Sequence, residues 1–186
     1  LASQLAANGW RIGLFGGQES VKVAAQICQE TGAANHAGKL SFRETAAELR
    51  RYPYYVGGDT GLSHFATLVS QKVLVILGGG TFRRFFPWAQ AKNQHVIFNG
   101  MDCFDCDWSC KYPERYCLTR IQPRNVVEQL DGIVKGVQDR ECDLNPVNER
   151  YSLGWRRSCT KAASGGQSKA EAAIRPDARA AHGVQQ

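Results

Sequence analysis

The sequence predicts an α/β domain built on a Rossmann-like parallel sheet. Three observations carry this. Residues 73–77 (Val73, Leu74, Val75, Ile76, Leu77) form an unbroken apolar run, the pattern of a strand buried on both faces. Strand-like segments run into glycine-rich turns three times, at Gly16 and Gly17, at 57–61 and at 78–80. The chain has 186 residues, 43% hydrophobic and 22% charged, which suits a domain with a sizeable core.

The elements follow in order. Residues 11–15 read as a short buried strand. A helix over 19–30 follows, with Val21, Ala24, Ala25 and Cys28 on one face. Gly32 stops it. Ser41 and Glu44 have the spacing of a capping box, which starts a helix over 42–50. Pro53 ends that helix, and 54–56 is a strand. Residues 57–61 turn tightly into a helix over 62–70. After the strand at 73–77 comes another at 96–98. Pro123, suited to a first helical position, opens a last helix through about residue 137. In such sheets ligands bind outside the carboxyl ends of the strands, where all three glycine turns fall.

The domain therefore spans 1–138, with a Cys-rich segment at 101–120. Residues 139–186 read as a basic, Ala/Gly-rich, disordered tail. The chain opens on Leu1 and its one Met is Met101, which fits a fragment of a longer protein. No stretch reaches the roughly 18 apolar residues of a membrane span. The net charge is +6, and from residue 151 onward six Lys/Arg face two acids. The globular part is nearly balanced, which weakens a nucleic-acid reading.

Four places can carry chemistry. Asp59, Thr60, Gly61, Leu62, Ser63 and His64 join a strand end to a helix start. Unpaired N–H groups and the helix dipole favour an anion such as a diphosphate there. The same residues also fit a plain arrangement, with Asp59 as helix cap and His64 against the core. Glu19, after Gly16 and Gly17, suits the two hydroxyls of a ribose, or simply the helix N-terminus. Arg83 and Arg84 lie among Phe82, Phe85, Phe86 and Trp88, where they suit a phosphate, an acidic acceptor or solvent. Cys103, Cys106, Cys110 and Cys117, spaced C-x2-C-x3-C-x6-C, suit a structural zinc or iron. Two disulfides or four free thiols fit them as well. Cys28, on an apolar helix face, reads as core.

Taken together, these residues resemble the C-terminal half of glycosyltransferase family 9, the ADP-heptose:lipopolysaccharide heptosyltransferases. The stretch from Tyr55 through Asp59 and His64 to Ala66 looks like that family's nucleotide-sugar signature, and the resemblance covers about residues 8–137. It implies a GT-B fold of two Rossmann-like domains, of which this chain is the donor-binding one. It also implies that Glu19 holds the ribose and Leu40 touches the base. Thr60, Gly61 and Leu62 would give main-chain contacts to the diphosphate. Asp59 would accept from sugar hydroxyls or order the turn, and His64 would bond near the phosphate.

The implied reaction is inverting and needs no metal or other cofactor. Its catalytic base lies in an N-terminal domain, so no catalytic residue falls in this chain and the chain alone is inactive. The implied partners are an ADP-sugar, a glycan or lipid-linked acceptor of lipopolysaccharide biosynthesis and that N-terminal domain. The implied place is the cytoplasm, peripheral to the inner membrane. The turn at 78–80 and the Cys spacing depart from the heptose enzymes, which leaves the acceptor open. A metal-stabilised module that holds nucleic acid through the Cys cluster and basic tail is the alternative. A sugar-epimerase-like enzyme fits poorly, because its Tyr-x-x-x-Lys pair is absent.

Overall fold

The computed structural model describes residues 1–88, 92–137 and 141–145. The elements in chain order are α1 (Ala2–Ala7), β1 (Gly13–Leu14), a 3-10 turn (Gln18–Ser20), α2 (Val21–Thr31), β2 (Ala34–Asn35), α3 (Phe42–Leu49) and β3 (Tyr54–Gly58). Then come α4 (Gly61–Val69), β4 (Lys72–Ile76), β5 (Gln94–Phe98), α5 (Tyr116–Thr119), α6 (Pro123–Lys135) and β6 (Glu141–Asp143). All strand pairs are parallel.

The apolar run at 73–77 does what its composition predicts. Successive side chains of a strand point to opposite faces. Val73, Val75 and Leu77 pack with Leu49 of α3 and Ala66 of α4. Leu74 packs the other way, with Ile97 of β5, Val126, Leu130 and Ile133 of α6, and Leu5 of α1. Helices thus cover both faces, which is why no polar alternation shows in β4.

The strands form two sheets, β1-β2 and β3-β4-β5-β6. Among the described residues no ladder joins β1 to β3. A cavity of about 850 Å³ is lined by Gly13 and Leu14 from one sheet and by Tyr54, Tyr55, Val56, Gly57 and Gly58 from the other.

Several expectations need correcting. Of the strand expected over 11–15, only Gly13–Leu14 is paired, and the following helix begins as a 3-10 turn. The sheet also passes the expected boundary at 138. Glu141–Asp143 forms β6, which pairs with β5 and buries Cys142. A strand of three residues is too short to show a period. Residues 139–140 and 146–186 of the expected tail lie outside the described residues. No helix among the described residues is long and apolar enough to cross a membrane.

Candidate functional site

Four segments meet the cavity at the carboxyl ends of β1 and β3. The first is the turn after β1. The Gly17 N–H donates to Glu19 Oε1 at 3.2 Å, and Ser20 Oγ donates to the same oxygen at 3.3 Å. Glu19 is exposed and lines the cavity. The second segment is stitched to the first: the Gly38 N–H donates to the Gly16 carbonyl, and Gln18 Nε2 donates to the Gly38 carbonyl, both at 2.9 Å. Gly38 sits at φ +66°, in the left-handed region that favours glycine. This bend delivers Leu40 and Phe42 to the cavity.

The third segment is the start of α4. Thr60, in extended geometry, is the N-cap, and its hydroxyl makes no cap bond. The Thr60 carbonyl accepts from the Ser63 and His64 N–H groups at 3.0 and 3.2 Å. The N–H groups of Gly61 and Leu62 have no acceptor among the described residues, and Thr60, Gly61 and Leu62 line the cavity. Ser63 is fully buried, and its hydroxyl donates to the Gly58 carbonyl and lies 3.2 Å from the Tyr55 hydroxyl, so it locks β3 to α4. Burial pushes the Tyr55 phenol above its usual value, against the hydrogen bonds from Ser63 and Thr60.

Asp59 and His64 stand together rather than apart. Asp59 Oδ1 lies 3.4 Å from His64 Nε2. The helix cap is Thr60 and not Asp59. His64 meets the buried Phe86 edge-on, with ring centroids 5.6 Å apart, and keeps about a third of its side chain exposed. It has both a core contact and an open face. Neither residue lines the cavity that holds Glu19 and Leu40.

The fourth segment is a ring cluster that the sequence reading did not single out. Phe15 stacks on His36 at 4.7 Å, and Tyr52 meets both rings edge-on. His36 Nε2 lies 3.2 Å from the Tyr52 hydroxyl and 3.7 Å from Glu48. All three rings line the cavity. Phe15 and Tyr52 are far apart in the chain and carry no motif, so no local signal marks them.

The turn at 78–80 has a different use from the other two. Phe104 lies against Gly79, and Trp108 lies against Gly78 and Gly80. The Asp105 and Asp107 N–H groups donate to the Gly79 and Gly80 carbonyls at 2.8 and 2.9 Å. The Cys-rich segment thus covers this turn. The two arginines are also engaged. Arg83 pairs with Glu141, and Arg84 Nη1 lies 2.6 Å from Asp107. The Asp107 hydrogen bond raises the Arg84 guanidinium further.

Cys103, Cys106, Cys110 and Cys117 are free thiols. Burial, then the charges of Cys106 and Asp102, pushes the Cys103 thiol up. Cys117 is buried in α5 and Cys103 packs on the same core, whereas Cys110 is exposed. Asp102 holds the loop instead, accepting from Lys111 Nζ at 2.7 Å and the Tyr112 hydroxyl at 2.8 Å. Among the described residues no group of three or more His, Cys, Asp or Glu side chains is arranged to hold a metal ion.

The comparisons agree with the geometry. The sequence model of glycosyltransferase family 9 (heptosyltransferase) matches residues 1–111, which is more than half of the chain. The chain belongs to glycosyltransferase family 9. Its fold is similar to the crystal structure of the glycosyl transferase family 9 from Veillonella parvula DSM 2008, with a TM-score of 0.59 and 21% sequence identity. That likeness covers 73% of this chain and 39% of that one, so this family 9 chain spans well under half of its structural neighbour. No curated protein matches it. The Rossmann-like fold of this family 9 chain is consistent with a GT-B glycosyltransferase.

Proposed function

We propose that this chain binds the donor of a glycosyl transfer, a nucleotide-diphosphate sugar. One observation carries the reading. Glu19, Leu40, Thr60, Gly61 and Leu62, residues from three separate turns, line a single cavity of about 850 Å³ at the strand ends. A carboxylate there suits ribose hydroxyls, an apolar side chain suits a base, and free N–H groups at a helix start suit a diphosphate. The helix N–H donors favour the charge that grows on the departing diphosphate. Asp59 accepts from sugar hydroxyls, and His64 stands by the phosphate end.

On this reading the donor is an ADP-sugar, with heptose as the family's sugar, and the acceptor is a lipopolysaccharide or another glycan. Transfer inverts the anomeric centre without a metal. An N-terminal domain supplies the base that deprotonates the acceptor hydroxyl, so these residues bind the donor and do not transfer it alone. The work takes place at the cytoplasmic face of a membrane.

A thermal-shift panel of ADP, GDP, UDP and CMP tests this, with Glu19→Ala and Asp59→Ala alongside. A ligand at about 100 times its Kd stabilises by about 2.7 kcal/mol. One diphosphate should raise the Tm, Glu19→Ala should reduce that shift, and Asp59→Ala should reduce the shift given by the same diphosphate's sugar conjugate. A panel without any shift, or a shift that both variants leave intact, counts against the site.

A further inference from the structure

Trp88 is an exposed aromatic side chain that the cavity does not use. It is 38% exposed, although its backbone is fixed: its N–H donates to Oε1 of the buried Gln94, at the start of β5, at 3.0 Å. Its ring lies 6.4 Å from that of His64, inclined by 43°. Phe86 backs His64 from the core, and Asp59 Oδ1 lies 3.4 Å from His64 Nε2. His64 is the fourth residue of α4, whose first two N–H groups open on the cavity.

An apolar ring held open to solvent beside a mostly buried carboxylate and an imidazole about one-third exposed has a specific chemistry. One face of a pyranose is a sheet of C–H bonds, which seeks an aromatic surface. Its hydroxyls seek a carboxylate that only accepts. The indole offers the first and Asp59 the second, with the imidazole between them. We infer that Trp88 completes a monosaccharide subsite at the Asp59–His64 end of the site, as the platform for one face of the ring. Trp88 is then a positioning residue that selects for a sugar ring and is indifferent to the nucleotide. The inference rests on the donor-binding reading only for the source of the sugar. The ring belongs either to the donor or to the acceptor, and the chemistry is the same.

The test uses the whole chain with Trp88→Ala and Trp88→Phe. Titration calorimetry compares ADP with ADP-glucose, UDP with UDP-glucose and GDP with GDP-mannose. A second arm follows binding of methyl pyranosides by ligand-observed NMR. If the ring is the donor's, Trp88→Ala leaves the Kd of the diphosphate within about twofold and weakens its sugar conjugate about tenfold, while Trp88→Phe recovers most of the loss. If the ring is the acceptor's, the loss falls on the pyranosides and spares the conjugates. Either result supports the subsite. Equal losses for diphosphate and conjugate, or no loss in either arm, overturn it. If no nucleotide binds the wild type, the donor reading fails. The subsite then stands or falls on whether pyranoside binding depends on Trp88.

Discussion

Gly79 and Gly58 look alike in sequence but differ in what an added methyl group would meet. A Cβ on Gly79 would lie 2.7 Å from Phe104 Cε1, and Phe104 is buried. A Cβ on Gly58 would meet nothing within 4 Å. Overfilling a packed site costs about 1–3 kcal/mol, whereas an open site costs within about 0.5 kcal/mol. Gly79→Ala should therefore lower the urea midpoint clearly and Gly58→Ala hardly at all. Equal midpoints would show that Phe104 yields freely. The contrast also marks what could be read from residues alone. Glycine runs announced turns, but not which turns face a ligand and which lie under an aromatic lid. Arg83 and Arg84 read as free cations because their acids lie 58 and 23 residues away. The Asp59 to His64 stretch was legible because its residues are neighbours in the chain. The rings of Phe15, His36 and Tyr52 were not, because the fold alone brings them together.

Elements were legible where a local chemical device sets their ends. The capping box of α3 is present as its spacing predicts: the Ser41 N–H donates to Glu44 Oε2 at 2.8 Å, and the Glu44 N–H donates to Ser41 Oγ at 3.4 Å. Gly32 and Gly136 close α2 and α6 at φ +69°. The elements left unread, α1, β2, α5 and β6, have two to six residues, less than two helical turns or a strand's period. The capping box has a pH signature. Its hydrogen bonds hold the Glu44 carboxyl below its ordinary value of 4.5. A group lowered by folding stabilises the fold above its unfolded pKa, and that contribution fades as pH falls through the folded value. Ser41→Ala should lower stability by about 1 kcal/mol at neutral pH. It should also make the decline in stability below about pH 4.5 shallower without abolishing it, because the Ser41 side-chain bond is gone while the backbone N–H at that position still donates to Glu44. Parallel wild-type and variant curves through that range would separate Glu44 from Ser41.

At the scale of the molecule, the decisive feature is the break between the two sheets. The four strands from β3 to β6 share ladders and a core on both faces, whereas β1 and β2 pair over two residues each. Short ladders with exposed neighbours open more readily than central strands. Amides of Gly13, Leu14 and Asn35 should therefore exchange with solvent much faster than those of Val75 and Ile97. The break was not legible in the sequence, since the run at 11–15 reads as a strand like the others. Its structural counterpart is the ring of Tyr52, which lies against Gly13 at the cavity wall. The proposed donor spans that wall, with Glu19 on the β1 side and Thr60, Gly61 and Leu62 on the β3 side. A ligand that grips both sides stabilises only conformations in which both are in place. Hydrogen exchange with the nucleotide that raises the Tm should then slow Gly13, Leu14 and Gly17 strongly, while Ile97 changes only as much as global stability does. Protection confined to the start of α4 would mean that the ligand holds the diphosphate cradle alone and leaves Glu19 unengaged.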